Sequence, residues 1–234
     1  MKVAWKVFKV VVIVVLFLVS VFFLYKGYLV YFKYHIRNFQ YTPVQGEKAI
    51  RTSKECSLSL GDFSICLPDS FSLDVDKTYV KDGISYFDSF GHVIISVVRD
   101  NDLEADIRRV TEDTDEDFSR VINRYQIYNF MDILHYLDEH MNDSISVLSS
   151  VSDIQMSYIS KKLVDANLPN GDVYYLSGNY QGYLVKQSRN YYIYIYHDDK
   201  IYEFTFLNSP SDTDYFNDDI VLDILSSVRF KVEI

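Results

Sequence analysis

Between Lys9 and Lys26 the chain runs VVVIVVLFLVSVFFLY without a charge, and the apolar character resumes after Lys26 as GYLVYF. Sixteen helical residues rise only about 24 Å. Lys9 and Lys26 snorkel, however, so a helix from about Val7 to Tyr31 covers a hydrocarbon layer of roughly 30 Å. The segment therefore reads as a transmembrane helix, with Trp5 in one interfacial belt and Tyr25, Tyr28, Tyr31 and Tyr34 in the other. A cleaved signal peptide is the competing reading, since Lys2, Lys6 and Lys9 would form its charged start. Against it, bulky aromatics follow the apolar run where a small-x-small cleavage site would stand, and no cysteine lies near for a lipid anchor.

Charge divides the chain at the same place. Residues 1–40 carry six basic side chains and no acidic one, which leaves 17 basic against 33 acidic residues in the remainder, a formal charge of −16. Phosphate backbones and anionic headgroups repel such a domain, so nucleic-acid binding is a poor reading. Solubility, a basic partner or a bound cation fits it. Three basic residues flank the helix on each side, but the amino terminus adds a charge, and a large acidic domain translocates regardless of its own charge. The expected arrangement is a single-pass plasma-membrane protein. Residues 1–37 form a short cytoplasmic start and anchor, 38–54 a membrane-proximal linker, and 55–234 an extracytoplasmic domain.

Within that domain, YYIYIYHDDKIYEFTF (residues 191–206) alternates on both sides of a polar break and predicts a hairpin. A two-residue loop at Asp198 and Asp199 sets Ile195 against Tyr202, Ile193 against Phe204 and Tyr191 against Phe206 as the core face. The other face carries Tyr192, Tyr194 and Tyr196 opposite Thr205, Glu203 and Ile201. Earlier, CSLSLGDFSICLP predicts a second hairpin. A three-residue loop of Leu60, Gly61 and Asp62 sets Cys56 opposite Cys66 and favours a disulfide, whereas a two-residue loop sets Cys66 against Ser57. Residues 84–90 and 92–100 read as a strand pair around Gly91. Thr114 reads as the cap of a helical stretch whose apolar stripe slips near Tyr128, giving one bent helix or two. Residues 144–167 are Ser-rich and ambiguous, strands return from Asp172, and Asp212 and Asp214 are expected to open a last helix before VRFKV.

The succession FSICLPDSF, ISYFDSFGHVIISVV, helices, a Tyr-rich meander and a helix ending ILSSVRF resembles the PsbP-like superfamily, over residues 55–233. The matching positions are Phe63 to Pro68 with Phe71, the strand Tyr202 to Phe206, and Ile224, Leu225, Ser226 and Phe230. The resemblance implies an α+β fold in which an antiparallel sheet is sandwiched by helices, here after an N-terminal membrane helix. The long middle, 102–167, departs from a compact version of that pattern. Function does not transfer across that superfamily, which includes photosynthetic accessory proteins and GTPase-binding proteins.

Motifs for chemistry are absent. Asp113, Asp115 and Asp117 copy the start of a calcium loop, but Phe118 stands where glycine is required and Arg124 where a bidentate glutamate is. Asp132, His135, Glu139 and His140 lack zinc spacing. No GxSxG or phosphate loop occurs. No catalytic residue, cofactor or metal is expected, and the leading function is an extracytoplasmic accessory protein that binds protein or envelope components. Tyr192, Tyr194, Tyr196 and Glu203 are its candidate surface, unless helices cover them. The alternatives are a small-ligand receptor or enzyme with a pocket beside those tyrosines, and a tethered cytosolic regulatory domain.

Overall fold

The computed structural model describes residues 2–37, 44–50, 58–74, 83–111, 117–140, 151–210 and 214–231. The chain opens with α1 (Lys2–Arg37), then forms β1 (Glu47–Ile50), β2 (Leu58–Leu60), β3 (Phe63–Ile65), β4 (Ser72–Leu73), β5 (Gly83–Phe87) and β6 (Gly91–Asp100). Four helices follow: α2 (Leu103–Thr111), α3 (Asp117–Tyr125), α4 (Phe130–His140) and α5 (Val151–Asn167). A meander of β7 (Asp172–Gly178), β8 (Gln181–Gln187), β9 (Asn190–His197) and β10 (Lys200–Asn208) leads to α6 (Asp218–Ser226) and β11 (Arg229–Phe230). The result is a mixed α+β protein with an apolar N-terminal helix and a large mixed sheet flanked by helices. Within α1, Phe8–Tyr28 is long and apolar enough to cross a membrane, and none of it is buried against the rest of the chain.

The sheet has eight strands in the order β1-β7-β8-β9-β10-β6-β5-β4. Its centre follows the register expected from alternation: Ile195 faces Tyr202, Ile193 faces Phe204 and Tyr191 faces Phe206. Asp198 and Asp199 both adopt left-handed backbone, with φ of 47° and 57°. A type I′ turn demands that of its two central residues, and aspartate tolerates it better than most side chains. β6 joins the other side of β10 and carries one register shift beside Ile201 and Tyr202.

One edge departs from the expected all-antiparallel sheet. Residues 47–50, read from sequence as linker, form β1 and pair parallel to β7 from Glu47↔Tyr175 to Ile50↔Gly178. Gln45 and Tyr175 extend this ladder through Gln45 N–H to Val173 O at 2.7 Å and Tyr175 N–H to Gly46 O at 3.0 Å. Gly178 closes it at φ +132°, and a Cβ there would lie 1.9 Å from the Ile50 carbonyl oxygen, so only glycine admits the approach. Lys48 and the polar alternation hid this short edge strand in sequence.

The cysteine hairpin takes the other of its two registers. Leu58, Ser59 and Leu60 pair with Ile65, Ser64 and Phe63, so the loop is the two residues Gly61 and Asp62, not three. Gly61, at φ +63°, supplies the positive φ that a II′ turn requires at its first central position. Cys66 is nonetheless disulfide-bonded. The ladder stops at Ile65, so strand register does not decide the bridge; Cys56 lies outside the described residues.

The helical middle is two helices where the stripe slips. Gln126 at φ 53° ends α3, and Asn129 with Asp132 caps α4 reciprocally: Asp132 N–H donates to Asn129 Oδ1, and Asn129 N–H to Asp132 Oδ2, both at 3.1 Å. Thr114, Asp113 and Asp115 lie outside the described residues. Of the Ser-rich stretch, residues 151–167 form α5, which buries Met156, Ile159, Leu163 and Val164, a helical i, i+3, i+7, i+8 face; residues 144–150 lie outside the described residues. The last helix begins at Asp218, later than Asp212 or Asp214 implied, because Asn217 Oδ1 accepts the Ile220 N–H at 3.0 Å and takes the cap.

Each sheet face has its own core. On one, Tyr191, Ile193, Ile195, Tyr202, Phe204 and Phe206 pack with Phe63 and with Val221, Ile224 and Leu225 of α6; Phe63 lies edge-on to Tyr202 at 5.5 Å. On the other, Val173, Tyr183 and Val185 pack with residues of α2, α4 and α5, and Tyr192, Tyr194 and Tyr196 lie against the same cluster. Asp introduced at Ile193 or Phe204 is expected to cost about 3 to 5 kcal/mol, because an unpartnered carboxylate enters an apolar face. Tyr194→Ser should cost about half of that or less. Urea denaturation of the three variants, read by circular dichroism, checks the order; the reverse order would show the two faces exchanged.

Candidate functional site

The tyrosines singled out by alternation are brought together, but beneath helices. Tyr192, Tyr194 and Tyr196 are each half-buried, and Tyr194 stacks on the fully buried Tyr183 with ring centroids 4.6 Å apart. Glu203 sits opposite Tyr194 in the ladder. The histidines on α4 are not assembled into a site. His135 stacks on Tyr175 at 4.3 Å, His140 stacks on Tyr136 and meets its carbonyl through Nδ1 at 2.9 Å, and Asp132 serves as the helix cap. Among the described residues no group of three or more His, Cys, Asp or Glu converges on a metal position.

The strongest polar constellation lies where α6 meets the sheet. Asp218 accepts from Lys48 Nζ at 2.5 Å, Lys186 Nζ at 2.9 Å and the Tyr191 hydroxyl at 2.9 Å. Lys48 also lies over the Tyr174 ring at 4.4 Å. Three strands, β1, β8 and β9, are thereby tied to the first turn of α6. Partial burial pushes the Asp218 carboxyl up, but the hydrogen bonds from Lys48, Lys186 and Tyr191 and the charge of Lys48 outweigh it and hold the group well below the carboxylate range. Burial, reinforced by the Asp218 carboxylate, pushes the Tyr191 phenol up to about 12. The hydrogen bond to Asp218 likewise raises Lys186. Asp218, Tyr191 and Lys186 are thus each held in the protonation state that joins them, which is the signature of a clamp.

On the outer side of α6 lies a groove of about 450 Å³. Cys66, Leu67 and Pro68 form one wall, Asp219, Ile220, Asp223 and Ile224 the other, and Tyr215 one end. Helical spacing explains the second wall: positions four apart align Asp219 with Asp223 and Ile220 with Ile224. Ser227 joins the walls, its Oγ accepting the Cys66 N–H at 2.8 Å and donating to Ile224 O at 2.5 Å.

Tyr215 continues the groove into an aromatic rim. Its ring stacks on Phe90 at 5.4 Å and lies 5.9 Å from Phe71. Phe90 is 48 % exposed, Leu73 46 % and Phe87 43 %, large apolar side chains gathered at the β4–β6 end of the sheet. The loop carrying Phe90 is held by Asp88, whose carboxylate accepts from Phe90 N–H at 2.7 Å, Gly91 N–H at 2.9 Å and the Ser70 hydroxyl at 2.7 Å. Gly91 is required there, since a Cβ would lie 2.5 Å from the Phe216 ring. Partial burial, with the Asp88 charge adding to it, raises the Tyr215 phenol above its ordinary value, so the hydroxyl stays neutral.

Sequence reasoning took FSICLPDSF and the α6 segment as packing motifs and missed the groove between them. The signal was present in DDIVLDI, where carboxylates four apart accompany isoleucines four apart, but its facing wall is remote in the chain. Comparison with protein-family models, with curated proteins and with solved structures returns no match.

The clamp makes a prediction about pH. The folded Asp218 carboxyl titrates below its unfolded value of about 3.9, so its contribution is complete above that value and is lost as pH falls through the folded one. Tyr191 has the opposite sign: its contribution holds below about 10 and is lost as pH rises through about 12. The Asp218 side chain is 36 % exposed, so screening limits the effect, and Asp218→Asn should cost roughly 1 to 2 kcal/mol at pH 7. The difference in unfolding free energy between D218N and the native chain should narrow below about pH 4, measured by urea titration across pH. A constant difference would mean that the carboxylate is not the joining group.

Proposed function

We propose that the chain is a single-pass plasma-membrane protein whose α1 spans the bilayer and whose remaining domain lies outside the cytoplasm as an accessory, binding subunit for protein or envelope components. The observation that carries this reading is the outward face made by the α6 groove and the rim of Phe90, Tyr215 and Leu73; Phe87, one position on from Tyr86, points to the other side of the sheet. Clustered apolar side chains beside a concave surface are what interaction sites present, whereas single exposed apolar residues mean nothing. The face lies on the α6 side of the sheet, away from the tyrosine ladder, so the candidate surface moves from Tyr192, Tyr194, Tyr196 and Glu203 to this rim. Phe8–Tyr28, at 21 residues, rises about 31 Å, which matches a hydrocarbon core. An oxidised Cys66 favours an oxidising compartment, with Cys56 as its partner in a chain of two cysteines. Helices against both sheet faces fit an α/β/α sandwich, and the order of hairpin, strand pair, helices, meander and closing helix keeps the resemblance to the PsbP-like superfamily.

Two experiments test it. Protease added to intact cells or spheroplasts should digest the chain beyond Arg37; protection until the membrane is broken would reverse the orientation. Leu73→Ser combined with Phe90→Ser changes half-exposed side chains, so unfolding free energy should shift by no more than about 1 kcal/mol. The same variant should lose a partner that co-purifies with the native chain from detergent-solubilised membranes. Retention of that partner would remove the rim from the interface.

A further inference from the structure

Asn170 stands in the loop between α5 and β7, directly before Gly171. No other asparagine of the chain precedes a glycine. Such a pair marks turns, and it is also the pair in which the main-chain nitrogen of the second residue reaches the side-chain amide carbon of the first most freely, because no Cβ stands in the way. Asn170 is exposed, and among the described residues nothing hydrogen-bonds its amide. Other asparagines are held. Asn208, which precedes the small Ser209, donates through Nδ2 to Arg189 O and, at 3.1 Å, to Phe216 O, and its Oδ1 accepts the Phe216 N–H at 2.7 Å. Asn167 donates to Leu163 O at 2.9 Å and accepts from Arg109 at 2.8 Å. Asn129 and Asn217 are spent as helix caps.

The glycine of the pair is dictated by packing. A Cβ on residue 171 would lie 2.4 Å from the Lys186 carbonyl oxygen and 2.9 Å from Val185 Cγ1. Any other residue would push β8 away, so the fold itself keeps the shielding side chain out. We propose that Asn170 is a site of spontaneous covalent modification, at which its side-chain amide is converted to a carboxylate, mainly as isoaspartate. The Gly171 nitrogen bonds to Asn170 Cγ as the Cγ–Nδ2 bond breaks, and ammonia leaves carrying the proton that Gly171 gives up. Water then opens the cyclic imide. Breaking the bond from the nitrogen to Cγ gives aspartate, and breaking the bond to the main-chain carbonyl carbon gives isoaspartate; no electrons are exchanged. This inference is independent of the membrane reading and of the groove.

The isoaspartate product routes the main chain through the former side chain and lengthens it by one carbon. That carbon enters immediately before Gly171, where Lys186 O leaves no slack. The next rung of the sheet is Asp172 with Lys186, and Lys186 Nζ reaches Asp218 at 2.9 Å. Conversion therefore loosens the start of β7 and disturbs the clamp that seats α6.

The test ages the full chain in nanodiscs at neutral pH in heavy-oxygen water and maps its peptides by mass spectrometry, with a urea-unfolded sample aged beside it. The Asn170 peptide should lose its amide first in the folded chain, gain one heavy oxygen, and become a substrate for isoaspartyl carboxyl methylation, while the Asn208 and Asn167 amides persist. An Asn170 amide that survives in the folded chain while the unfolded sample converts, or another asparagine that converts first, would overturn the assignment. Asn170→Gln should abolish the methylation, and methylation that persists in it would place the site elsewhere. The aged native chain should unfold at lower urea than the fresh one, and Asn170→Asp, which adds the charge without the extra carbon, should not. An unchanged midpoint after conversion, or an equal loss in N170D, would overturn the backbone consequence.

Discussion

Everything in the domain hangs on the register of one hairpin. Asp198 and Asp199 in left-handed backbone fix which residue of β9 faces which residue of β10, and a slip of one position would send every side chain to the opposite face. With the register set, Ile193, Ile195, Phe204 and Phe206 define one core and the tyrosines of β9 contribute to another. Both cores need cover, and the chain supplies it from different stretches: α6 with the small β11-β3-β2 sheet on one side, the α2 to α5 layer on the other. The position of the groove follows, because α6 must lie over the hairpin and the segment after β3 must lie beside α6.

The electrostatic arrangement follows from the same geometry. A sheet face buried under a helix leaves lysines on neighbouring strands near the helix start, and Lys48 and Lys186 converge on a carboxylate in the first turn of α6. That carboxylate holds the helix N-terminus against three strands at once. The cap residue Asn217 and the ion cluster at Asp218 therefore have separate tasks. Asn217 satisfies an orphan N–H of the helix itself, and Asp218 sets where the helix lies on the sheet.

Strict alternation made the β9–β10 hairpin legible to the residue, and the stripe slip near Tyr128 located the break between α3 and α4. Three elements were illegible for physical reasons. β1 is four residues long at a parallel edge, held by backbone pairing and by a glycine on the partner strand, and neither leaves a pattern in its own sequence. α5 was hidden by the serines that precede it in sequence and by Ser152, Ser157 and the buried Ser160 within it, which break up the pattern of the Met156, Ile159 and Leu163 face. The start of α6 depended on which of several polar residues took the cap. The groove was the least legible, because its walls lie about 150 residues apart and each wall alone reads as ordinary packing.

The parallel placement of β1 has a mechanical consequence. The chain enters the sheet at its very edge, so a pull on the segment before β1 meets the Val44 bond to Asp138 and the Gln45 bond to Val173, and then the four rungs between β1 and β7. It reaches next the contact from Lys48 to Asp218. Release of β1 would withdraw Ile50 from the hairpin core and free one of the cations that seat the helix bordering the groove. Tension on the segment before β1 and the shape of the outward face are thus joined through one lysine.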